Sequence, residues 1–73
     1  VLLGKEMQYR LQIQTCEEVL LSILDIVRQR GTASIHLLTI EDIITHINKM
    51  EMDFRTELIH IHLEQAIEDS KQN

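Results

Sequence analysis

Among the side chains that can carry chemistry in this 73-residue chain, His60 and His62 stand closest together. On a helix, residues two apart point about 200° from each other and cannot share an ion; only a strand turns both to one face. A metal site is therefore not expected. Glu57, His60 and Glu64 do fall together at helical spacing, but a face of that composition is ordinarily solvated. His62 projects instead among Leu58, Ala66 and Arg55, which reads as a hydrogen-bonded interface or core histidine; buried and neutral, it would weaken packing when protonated near pH 6. The single Cys16 rules out an intrachain disulfide, lies on an apolar stripe and has no neighbouring base, so it reads as an inert thiol. Ser22, Ser34 and Ser70 sit in no nucleophile elbow, and the two glycines cannot cradle a phosphate. The expectation is a protein that is not an enzyme and needs no cofactor.

The elements that would position these groups are helical. Apolar residues make up 44% of the chain, proline is absent, and Tyr9 and Phe54 are the only aromatics. That composition favours helices packed through Leu and Ile. The first helix is expected over about residues 5–30, where Tyr9, Ile13, Cys16, Leu20, Ile23, Leu24 and Val27 form a stripe widened by Val19 and Ile26. Gly31 supplies its stop, with Arg28 and Arg30 near the negative end of the helix dipole. Residues 7–14 stay open between helix and strand: Met7, Tyr9, Leu11 and Ile13 alternate with polar residues, and Thr15 with Glu18 would make a capping box that starts a helix later. A loop is expected over Thr32 to Leu38, with an extended piece at Ile35 to Leu38. Thr39 and Asp42 then resemble a cap for a second helix over about 40–50, whose face is Ile40, Ile43, Ile44, Ile47 and Met50.

The pattern breaks near Glu51 to Asp53, and a third helix is expected over about 54–69. Phe54, Leu58, Ile59, Ile61, Leu63, Ala66 and Ile67 would cover roughly two-thirds of its circumference. A helix that apolar needs neighbours on several sides. Seventy-three residues form one domain at most, in a size range where a single core is only marginally sufficient. The expected fold is thus a small all-α, three-helix domain with a long first helix and a helix-turn-helix-like arrangement, forming an intertwined or paired dimer or docking on another protein. Its core would be Leu20, Ile23, Leu24, Val27, Ile40, Ile43, Ile44, Ile47, Ile59 and Leu63, and its partner-binding residues Phe54, Leu58, Ile61 and His62, joined by Met7 and Leu11. Because the chain opens at Val1 rather than Met, excision from a longer protein is a further expectation.

Charge discriminates between partners. Residues 1–30 balance, whereas residues 31–73 set Lys49, Arg55 and Lys71 against eight carboxylates. A winged-helix or helix-turn-helix nucleic-acid binder is the alternative reading, with the third helix in the recognition position, but that helix would carry Arg55 against Asp53, Glu57, Glu64, Glu68 and Asp69. Contact with nucleic acid is therefore disfavoured, and no apolar run reaches the ~20 residues that span a bilayer. An intracellular protein is expected.

The run Ile23-Leu24-Asp25-Ile26-Val27, followed by Leu37-Leu38-Thr39-Ile40-Glu41-Asp42-Ile43-Ile44 with Ile47, resembles the histone-fold family. It looks like the end of the long central helix, the second loop and the short third helix of that fold. The resemblance implies an obligate pair, an extra C-terminal helix after Met52, a nuclear location and a role in a transcription-related complex.

Overall fold

The computed structural model describes the backbone of residues 2–71 and the side chains from Gly4 to Lys71. These residues form two α-helices, α1 (Leu2–Arg30) and α2 (Leu37–Lys71), joined by residues 31–36. The all-α class holds, but the expected second and third helices are one: α2 runs unbroken through Glu51 to Asp53. Residues 7–14 belong to α1, which settles their ambiguity in favour of helix.

Both ends of the connection have a local cause. Gly31 adopts φ +70°, in the left-handed region, and its N–H donates to Val27 O at 2.9 Å, closing the αL motif that stops α1. Arg28 and Arg30 occupy the last turn, where the dipole favours cations. The start of α2 departs from expectation. His36, rather than Thr39, is the cap: its carbonyl accepts the first helical bond from Ile40 N–H at 3.1 Å. Its ring Nδ1 lies 3.3 Å from Thr39 N and 2.7 Å from Thr39 Oγ1, doing with an imidazole acceptor what an Asp or Ser oxygen usually does. Leu37 and Leu38, expected in an extended piece, are therefore already helical.

The helices pair antiparallel, as two cross-links fix: Arg55 with Glu17, and His62 with Glu6 near the open end. The contact line on α1 is Glu6, Tyr9, Ile13, Cys16, Leu20, Ile23 and Val27; on α2 it is Ile40, Ile44, Ile47, Glu51, Phe54, Leu58, Ile61 and Gln65. Each of these side chains is buried or half-buried. The steps alternate three and four residues without interruption, which is the a/d heptad of a coiled coil. The physical error in a third helix is now plain. Glu51 looks like a break, yet it occupies an a position of the same heptad and is only 8% exposed.

Keeping α2 continuous fixes its rotational phase and with it the core. Phe54, Leu58 and Ile61 turn toward α1, whereas Ile59 and Leu63, expected inside, are 63% and 56% exposed. Ile43 and Leu24 are likewise exposed. Ile13, Cys16 and Ile61 are the buried apolar side chains among the described residues, and no large side chain there is fully enclosed. The result is a rod of 61 × 17 × 16 Å with a radius of gyration of 17.4 Å, where a compact chain of this length would have about 11 Å. No helix is long and apolar enough to cross a membrane among the described residues.

Candidate interaction surface

A two-helix rod has a seam and two flanks. Each flank is lined by the positions beside the seam, e on one side and g on the other, because antiparallel helices set e against e and g against g. The e flank is made of Arg10, Glu17 and Leu24 from α1 and Glu41, Asn48, Arg55 and His62 from α2. Apart from Glu41, its charges are tied down. Arg55 bonds Glu17 across the seam and, through Nη2 at 2.8 Å and Nε at 3.2 Å, the same Glu51 oxygen. The bond to Glu51, reinforced by both carboxylates, pushes the Arg55 guanidinium further up from its ordinary value. Glu51 is thus a buried carboxylate with its countercharge beside it, a polar seam residue of the kind that fixes register at some cost in stability.

A second cluster closes the open end of this flank. Glu6 accepts from Arg10 at 2.8 Å and lies 3.0 Å from His62 Nε2. The Arg10 hydrogen bond first, and His62 second, hold its carboxyl down at about 2. His62 is not enclosed in the seam: its side chain is 45% exposed and lies against the Glu6 carboxylate.

The g flank differs. It consists of Lys5, Gln12, Val19 and Ile26 from α1 and Ile43, Met50, Glu57 and Glu64 from α2. Toward the loop it is wholly apolar. Val19, Ile26, Ile43 and Met50 are each between 42% and 50% exposed, although all four adjoin the seam. The neighbouring c positions there are Thr15, Ser22, Gln29, Thr39 and His46. Midway along the rod the flank opens into a groove of about 380 Å³ lined by Gln8, Leu11, Gln12, Thr15, Cys16, Met50 and Phe54. Gln12 Oε1 is shielded beside it and has no hydrogen-bond partner. Burial, and then the charges of Glu51 and Glu17, push the Cys16 thiol up, so it stays protonated and a poor nucleophile.

Against this geometry, the residues expected to bind a partner divide. Phe54, Leu58 and Ile61 are spent on the seam, where the Phe54 ring lies 6.3 Å from that of Tyr9 at a 40° tilt. Met7 and Leu11 are exposed, and Leu11 reaches the groove. Val19, Ile26, Ile43 and Met50 were not among the expected partner-binding residues, although Val19 and Ile26 already widened the stripe in the sequence. A further apolar strip, Met52, Ile59, Leu63 and Ile67, runs along the outer side of α2. Comparisons with protein families, curated proteins and solved structures find no match to this chain.

Proposed function

We propose that this helical hairpin is a protein–protein assembly module that works by burying its exposed apolar flank against other helices. The carrying observation is the imbalance between what the chain owns and what it hides. Of a chain 44% apolar, three apolar side chains are buried among the described residues, while Met50, Ile43, Ile26, Val19 and others stand open. Soluble monomers rarely leave that much contiguous apolar surface in water.

The electrostatics favour protein over nucleic acid as partner. α2 carries Lys49, Arg55 and Lys71 against eight carboxylates, and Arg55 is already engaged by Glu17 and Glu51. The separate recognition helix that DNA reading would use is the second half of α2, with Phe54, Leu58 and Ile61 committed to α1. Placement in a transcription-related complex rests on the histone-fold resemblance alone.

The test is the concentration dependence of folding. Helicity and melting temperature are expected to rise with chain concentration, because assembly binds the folded state. A chain that is fully helical at micromolar concentration, melts at a concentration-independent temperature and leaves a dye for exposed apolar surface dark would overturn the reading.

A further inference from the structure

We propose that the partner on the g flank is a second copy of this chain, two hairpins closing a four-helix bundle through Val19, Ile26, Ile43 and Met50. This rests on the reading of the hairpin as an assembly module and adds its occupant, its face and its stoichiometry.

The first argument is the heptad pattern. A two-stranded coiled coil needs apolar residues at a and d alone, whereas a helix in a bundle core carries a third column at e or g. Both helices here add that column at g: Val19 and Ile26 on α1, Ile43 and Met50 on α2. Antiparallel pairing brings the two columns to the same side of the rod. The hairpin is therefore half of a bundle, with its extra columns merged into one face.

Charge selects the occupant. The loop-proximal g flank and its c border, namely Thr15, Val19, Ser22, Ile26, Gln29, Thr39, Ile43, His46 and Met50, contain no Asp, Glu, Lys or Arg, and the charge-free stretch ends at Asp53 beyond Met50. On a chain of net charge −5, such a charge-free surface suits pairing with its own image, because an isologous contact sets like beside like and any charge there would meet its repeat. A foreign partner steered by charge would find no complement on this face.

Area agrees. The rod exposes 5920 Å², against about 4,700 Å² for a compact monomer of 8.6 kDa, an excess of about 1,200 Å². A standard interface takes about 800 Å² from each partner. One copy on one flank would remove about two-thirds of the excess.

The experiment is light scattering on the whole chain over a range of concentrations, with dye binding, for the parent and two double variants. The parent is expected to be a dimer. Ile43→Glu with Met50→Glu should weaken it about ten-thousandfold, since the pair of copies would bury four new charges and each costs at least tenfold in affinity. Ile59→Glu with Leu63→Glu, on the outer side of α2, should leave the dimer intact. If loss of the dimer also melts the helices, proximity decides: in a Cys16→Ala background, Val19→Cys or Met50→Cys should couple two copies with a short bismaleimide and Ile59→Cys should not. A dimer broken only by the Ile59 and Leu63 changes would overturn the choice of face. A dye-binding monomer, or a trimer, would overturn the second copy while leaving the assembly reading in place. A monomer dark to the dye would end both.

Discussion

The two flanks of one seam have been built to opposite rules. On the e flank, Arg55 is held by Glu17 and Glu51, and Glu6 by Arg10 and His62, so these ions find their partners within the rod. On the g flank, the loop-proximal positions are Val19, Ile26, Ile43 and Met50, each 42–50% exposed. The e flank closes the hairpin and sets its register; the g flank leaves it unfinished. In a rod with so little enclosed core, that asymmetry is what separates an edge meant for water from one meant for another helix.

Making the flanks alike is the strongest way to break the contrast. Replacing both Glu17 and Arg55 by Leu would give the e flank an apolar patch of its own and leave Glu51 without its cation. Assembly should then grow past two copies, at least doubling the scattering mass, as it would with two open faces per rod. An unchanged mass would show that apolar character at a flank does not drive association. Next in size is Glu51→Leu. Replacing a buried, ion-paired carboxylate by a side chain that fills the same seam should stabilise the paired helices by about 1–2 kcal/mol in thermal melts, while relaxing the register that Glu51 and Arg55 enforce. A loss of stability would mean that the carboxylate does more than specify alignment. On the other flank, Gln12→Leu removes an acceptor without a partner and extends the apolar column by one residue. A gain of about 1 kcal/mol is expected, together with tighter assembly.

The sequence made the helical class, the Gly31 stop and the lack of a membrane-spanning run legible because each depends on composition or on a local residue preference. It misled where meaning is set across the chain. Glu51 is a helix break by polarity and a seam residue by heptad count, and only the partner helix, whose Glu17 shares the Arg55 guanidinium that holds Glu51, decides between the two. Once the helix was cut there, the phase of residues 54–69 came loose, and Ile59 and Leu63 changed places with Phe54, Leu58 and Ile61. His36 carries no common cap signal in the sequence, because its capping is done by a ring nitrogen rather than by a side-chain oxygen. The g column was in view as the widening of the first stripe by Val19 and Ile26. Its meaning needed Ile43 and Met50 brought to the same side, which no periodicity within a single helix reveals.

The smallest effect belongs to the e flank and is read by acid. Glu6 is held at about 2 by Arg10 and His62, below its ordinary value of 4.5. A carboxylate lowered on folding binds fewer protons folded than unfolded, so its contribution is fully present above about pH 5. It fades as pH falls from 4.5 toward 2, when the unfolded chain takes up a proton that the folded one still refuses. Because the group is solvent-accessible, salt screens it and the loss is modest. Melting temperature should therefore decline over that interval, and Glu6→Gln should flatten part of the decline while leaving the neutral-pH assembly through Ile43 and Met50 unchanged. If Glu6→Gln instead weakened assembly at pH 7, the two flanks would not be separable, and the division of labour between a closed edge and an open one would have to be abandoned.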